Sequence, residues 1–133
     1  MRRLVLPVLA AALFAGCGSD DPTPSAGGSG QLAQLVVTVD DDGAKGSAEP
    51  RTLTLDCAEP TDSAACGAAA GVSAANLEPP AGDMACTQIY GGPEEATIKG
   101  TIRGNPVDAT FSRTDGCEIS RWESVQALLS EVP

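Results

Sequence analysis

The chain is 133 residues long and carries 18 Asp and Glu against 8 Lys and Arg, a net charge of −10 at neutral pH. Such a balance repels nucleic acid and anionic lipid headgroups, which argues against either as a partner. Histidine is absent, so Ser-His-Asp and Cys-His nucleophile pairs and histidine-ligated zinc sites are excluded.

Arg2 and Arg3 form a basic start, followed by an apolar stretch of eleven residues from Leu4 to Phe14. Eleven residues cannot span a bilayer, so residues 1–16 read as a signal peptide rather than a membrane helix. Ala15-Gly16-Cys17 places small residues directly before a cysteine. That is the pattern of a bacterial lipoprotein cleavage site, with Cys17 lipidated as the new N-terminus. Ordinary secretion with cleavage nearby is the alternative. Export is expected in both cases, as a lipoprotein on the outer face of the cytoplasmic membrane or as a secreted protein. The membrane would be touched by the lipid alone. Residues 17–33 then comprise the lipidated cysteine and a flexible tether. Gly18 to Gly30 holds nothing able to build a core and would reach about 20 Å as a coil. Residues 34–133 have the size of one small domain.

Leu35 to Val39 (Leu-Val-Val-Thr-Val) is short and β-branched, which predicts a strand. Asp40-Asp41-Asp42-Gly43 follows as a turn. Three consecutive acids suggest calcium, but an EF-type loop needs alternating ligands and a distal Glu at fixed spacing. A solvated hairpin tip is expected instead. Arg51 to Cys57 alternates Leu53, Leu55 and Cys57 with Thr52, Thr54 and Asp56, a half-buried strand. Ala64 to Ala75 is rich in Ala and predicts a helix, although Gly67 and Gly71 weaken it by about 1 kcal/mol each.

Met84-Ala85-Cys86-Thr87-Gln88-Ile89-Tyr90 is a short mixed run between Pro79-Pro80-Ala81-Gly82 and Gly91-Gly92-Pro93. Punctuation on both sides predicts an exposed loop or a short edge strand, and its cysteine suggests that it is stapled. Loops held on a rigid scaffold are where binding function concentrates. Ala96 to Arg103 and Val107 to Arg113 predict two further strands joined by Gly104-Asn105-Pro106. Glu118 to Leu129 carries Trp122, Val125, Leu128 and Leu129 at helical spacing. The whole reads as an α+β domain, an antiparallel sheet with two helices on one face.

With Cys17 assigned to lipid, Cys57, Cys66, Cys86 and Cys117 remain. An even number in a small exported domain reads as two disulfides, with three possible connectivities. Their spacings of 8, 19 and 30 intervening residues lack the close pairs of zinc sites, so no metal is expected. Oxidised cysteines offer no thiolate nucleophile. Carboxylates are scattered, and Tyr90, Phe111 and Trp122 make no sugar-binding platform. Lys45 and Lys99 fall in turn-like and strand contexts. Neither enzyme activity nor a cofactor is expected, and the residues favour a binding module.

The order of Thr52-Leu53-Thr54-Leu55-Asp56-Cys57, Ala65-Cys66, Asp83-Met84-Ala85-Cys86-Thr87-Gln88-Ile89-Tyr90 and Thr114-Asp115-Gly116-Cys117-Glu118-Ile119 resembles the subtilisin inhibitor-like family of actinobacterial secreted inhibitors. The resemblance covers about Leu35 to Val125. It implies a sheet of five antiparallel strands with two helices, and disulfides Cys57–Cys66 and Cys86–Cys117. It also implies a homodimer that binds a subtilisin-like serine protease. Gln88–Ile89 would be the reactive bond. Met84, Ala85, Cys86, Thr87 and Tyr90 would be the protease-contacting loop around it, with Gln88 entering the primary specificity pocket.

Such a loop works by preorganisation. A free peptide loses backbone entropy of about 1–2 kcal/mol per residue on entering a cleft, whereas a loop ordered by folding has already lost it. This chain departs from the family pattern in four places. Thr87 stands where Pro is usual, so φ is not fixed there. Gly91-Gly92-Pro93 replaces Asp-Pro and is one residue longer and looser. Gln88 is polar, while subtilisins prefer larger apolar side chains and trypsin-like enzymes want Lys or Arg. The first disulfide loop is also shorter than usual. The alternative function is a surface lipoprotein on the same fold that serves as an interaction module without inhibiting.

Overall fold

A computed structural model describes residues 30–133. The expected signal peptide, Cys17 and nearly all of the tether lie outside the described residues. Four strands form one antiparallel sheet: β1 (Gln31–Asp40), β2 (Arg51–Ala58), β3 (Glu95–Ile102) and β4 (Asn105–Phe111), in spatial order β2-β1-β3-β4. Helices α1 (Ala64–Gly71), α2 (Ala74–Leu77) and α3 (Gly116–Leu129) complete the α+β domain.

The sheet obeys the period of two. Leu35, Val37 and Val39 of β1 are buried while Gln34 and Val36 are exposed. In the other strands Leu55, Cys57, Ile98, Val107, Ala109 and Phe111 point the same way, toward the helices. Trp122, Val125, Leu128 and Leu129 of α3 close the core against them. Full burial of each large apolar side chain contributes about 1.5–3 kcal/mol. The opposite face stays open and polar. Thr52, Thr38, Thr97 and Thr110 stand in one rank across all four strands.

Strand β1 begins at Gln31, earlier than the pattern Leu35–Val39 suggested. Leu32 and Ala33 are buried, so the last residues assigned to a tether belong to the sheet. Between β3 and β4 the turn is also tighter than Gly104-Asn105-Pro106. Arg103 and Gly104 take φ of 47° and 77° and make the corner alone, the form whose twist suits a two-residue hairpin. Asn105 and Pro106 join β4, where an edge strand tolerates proline.

Two expectations need correction. The sheet has four strands, not five. Met84–Tyr90 adopts no regular structure: prolines and glycines flank it and its side chains face solvent, so it makes isolated backbone bonds rather than a ladder. The helix predicted over Ala64–Ala75 is two helices. Val72 turns extended and drops into the core, and Ser73, also extended, starts α2. The Ser73 amide and hydroxyl both donate to the Asn76 side-chain oxygen, at 2.9 and 2.7 Å. This local bonding competes with continuing the helix.

The two ends of the sheet are different. Gly30 accepts from the Glu59 amide at the end where β1 starts. At the other end lie Asp40, Arg51, Glu95 and Phe111, and Met84–Tyr90 sits above them, beside Arg113 and Gly116.

Candidate functional site

The approach to the Met84–Tyr90 loop is fixed by Arg121 on α3. Its guanidinium donates to the Leu77 carbonyl at 2.8 Å and the Thr110 carbonyl at 2.7 Å, and lies 4.3 Å from the Phe111 ring centroid. One largely buried cation therefore ties the end of α2 to β4. Pro79 and Pro80 follow α2 directly, and the Met84 amide closes a turn onto the Ala81 carbonyl at 2.9 Å.

Three attachments then hold the loop. Cys86 is joined to Cys117 in the first turn of α3, with 5.4 Å between their Cα atoms. One residue on, the Thr87 carbonyl accepts from the Gly116 amide at 3.0 Å. Beyond Tyr90, the Gly91 amide donates to the Arg113 carbonyl at 2.7 Å. Gln88, Ile89 and Tyr90 lie between these attachments and project outward, with Ile89 60% and Tyr90 66% exposed. Neighbouring exposed apolar side chains form a patch of the kind that marks an interaction surface. Met84, at 55%, is the third in the loop. Gln88 folds its amide back to the Cys86 carbonyl only weakly, at 3.4 Å.

The base of the loop is the start of α3. Asp115 caps the helix, its carboxylate accepting from the Cys117 and Glu118 amides at 2.9 and 3.0 Å, the usual role of Asp at that position. Gly116 follows, and a methyl group there would strike the Thr87 hydroxyl. Glycine allows this close approach without moving the Thr87 side chain. The glycines after Tyr90 are packed as well. A methyl on Gly91 would come 3.0 Å from Ile119 and 3.2 Å from the Arg113 Cβ, and one on Gly92, whose φ is 144°, would strike Glu94. The Gly91-Gly92 pair thus lies close against Ile119, Arg113 and Glu94.

A groove of about 730 Å³ runs beside the loop, with Pro80, Met84 and Thr87 on one wall and Ser120, Arg121 and Ser124 on the other. Across the loop, the β1–β2 connection supplies an acidic flank. The Arg51 guanidinium beside Asp41 holds its carboxyl below the ordinary range. Asp42 is lowered by the Ala48 and Ser47 amides that donate to it. Its carboxylate organises the mostly exposed connection between the antiparallel β1 and β2, which is longer than the tip Asp40–Gly43.

Asp115, Cys86 and Cys117 bring three potential metal ligands within 4.8 Å. The two sulfurs are bonded to each other and the carboxylate is engaged by helix amides, so these atoms serve the scaffold. Cys57 and Cys66 form the second disulfide. Two disulfides fit an oxidising compartment, and no helix among the described residues is long and apolar enough to cross a membrane.

The residues singled out by sequence, Met84 to Tyr90 with Cys117, therefore stand together. Of its neighbours, Glu94 and Arg113 carry no site signal in the sequence, and Asp115, Gly116 and Ile119 stand there only as flanks of Cys117. The helix-capping pattern of Asp before an apolar-periodic run was the available signal for the loop's base. Comparisons of the chain with family models, curated proteins and solved structures returned no match.

Proposed function

We propose that the chain is a serine protease inhibitor of the substrate-like kind, acting on a subtilisin-like enzyme through the Gln88–Ile89 bond. One observation carries it. Gln88, Ile89 and Tyr90 are held away from the body between a disulfide and two backbone hydrogen bonds. A segment ordered before it meets its partner keeps more of its contact energy as affinity. Protease–inhibitor interfaces bury about 1,600 Å² in total, more than three side chains supply. Met84, Ala85 and Thr87, on the groove side, would provide the rest of the contact surface.

The resemblance to the subtilisin inhibitor-like family supports the same assignment, as does the order of its cysteines. Export, lipidation at Cys17, a homodimeric state and the lack of catalytic activity belong to this proposal. The test is titration of the purified domain against a subtilisin and a chymotrypsin-like protease. Stoichiometric, slowly reversible loss of protease activity is expected. Rapid cleavage after Gln88, or indifference, would favour a non-inhibitory interaction module on the same fold.

A further inference from the structure

Inhibition by a cleavable loop depends on what happens after attack. The protease serine oxygen bonds to the Gln88 carbonyl carbon and the Gln88–Ile89 C–N bond breaks. The hydroxyl proton passes to the Ile89 nitrogen, which becomes a free amine. If that amine stays in place, it attacks the ester, reforms the peptide bond and returns the proton to the serine. If it drifts, water takes its place and the acyl-enzyme is hydrolysed.

The two halves are held by different means. Gln88 is two residues from the Cys86–Cys117 disulfide. Ile89 has no covalent staple nearby and depends on the segment from Gly91 to Glu94. Arg113 touches that segment at two points. Its carbonyl accepts from the Gly91 amide at 2.7 Å, and its guanidinium donates to the Glu94 carboxylate at 2.8 Å. Both side chains are about seven-tenths buried, with 31% and 28% of their surface exposed. A Cβ on Gly91 would come 3.2 Å from the Arg113 Cβ and one on Gly92 would meet the Glu94 carboxylate, so the segment lies close on the pair.

We propose that Arg113, paired with Glu94, is a positioning residue that keeps the Ile89 amine beside the acyl-enzyme and so favours resynthesis over hydrolysis. This rests on the inhibitor reading for its consequence, but the contact itself is a property of the free chain. The Gly91 amide is held by the Arg113 main chain and Glu94 by its side chain, so the side chain acts by fixing Glu94, and with it the segment that sets the Gly91 bond, and does not touch the scissile bond.

Two readouts test it, on wild type, Arg113→Met, Glu94→Gln and the double variant. The first is Gly91 amide hydrogen exchange in the free protein. The second is the ratio of intact to cleaved Gln88–Ile89 bond reached from both directions with catalytic subtilisin. For an ion pair about three-tenths exposed, each single substitution should speed Gly91 exchange and shift the ratio toward the cleaved form by about two- to fivefold. The double variant should be no worse than either single one, because the two groups act as a unit. Arg113→Lys should recover part of the effect. Thermal midpoints that stay close to wild type separate this from general destabilisation. Gly91 exchange indifferent to both substitutions, in a chain that inhibits, would overturn the pin. A wild-type chain that fails to inhibit while its Gly91 exchange still depends on Arg113 would sink the inhibitor reading and leave the pin standing.

Discussion

The Gly116 amide donates to the Thr87 carbonyl at 3.0 Å, and the same glycine leaves no space for a Cβ beneath the Thr87 hydroxyl. The first turn of α3 and the centre of the exposed loop are therefore one structural unit. Helix propensity alone says that Gly116→Ala should stabilise α3 by up to about 1 kcal/mol. The contact with Thr87 opposes it. Gly116→Ala is expected to displace Thr87 and raise the rate at which subtilisin cuts Gln88–Ile89. Thr87→Ala in the same chain removes the clash and should restore slow cleavage. Timed digestion followed by mass spectrometry reads both, and equal cleavage of all three proteins would show that Thr87 and Gly116 do not control the loop.

The two disulfides should separate stability from loop behaviour. On the chain-entropy account, closing the 31-residue separation of Cys86–Cys117 is worth about 3.7 kcal/mol and the 9-residue separation of Cys57–Cys66 about 2.6 kcal/mol. Replacing each pair by Ser should lower the thermal midpoint, more for Cys86–Cys117. Only the Cys86–Cys117 replacement should also turn the Gln88–Ile89 bond into a readily cut site, since Cys57 and Cys66 lie toward the opposite end of the sheet. Equal susceptibility of both variants to subtilisin would contradict the division.

Gln88 tests the assignment of the primary side chain. Gln88→Leu or Gln88→Met replaces a polar amide with an apolar group suited to the subtilisin pocket. An affinity gain of about tenfold is expected, by the usual effect of a matched apolar side chain. The measurement is the inhibition constant, and a value unchanged by either substitution would mean that the loop docks otherwise.

The acidic flank sets the pH response. Asp41 and Asp42 have folded-state pKa values held below the ordinary carboxylate range, so the unfolded chain binds protons more readily than the native one. Their contribution is complete above the ordinary carboxylate pKa and is lost as pH falls through it toward the lowered folded values. The thermal midpoint should stay level near neutral pH and fall on acidification, with Ser47 and Ala48 amide exchange quickening in the same window. A midpoint that rises as acid is added would refute this assignment.

Much of this architecture is written in local pattern. The alternation in Arg51–Cys57 and the helical spacing of Trp122, Val125, Leu128 and Leu129 report which face is buried, because burial imposes the period. The loop was legible from its flanking Pro and Gly residues and its cysteine. Its neighbours were not, since Arg113 and Glu94 are nineteen positions apart, and nothing local to either signals the other. Val72 escaped for a related reason. Its descent into the core interrupts an Ala-rich helix through a tertiary contact that composition does not register. Gly91-Gly92 reads as freedom in a sequence, while in the fold a Cβ on either residue would also meet Ile119, Arg113 or Glu94.

Strand β1 sets a handle and a working tip at opposite ends of the sheet. Its ten residues span about 33 Å at the usual strand rise, with Gly30 at one pole and the loop above the other. Anything joined ahead of Gly30, whether a lipid anchor, a surface or a fusion partner, grips the molecule by its far pole and leaves Ile89 and Tyr90 facing away. The other terminus offers no such handle. Arg51 draws the Val132 carbonyl to 2.7 Å at the loop's own pole, so cargo attached after Pro133 would crowd the tip that an N-terminal attachment leaves clear.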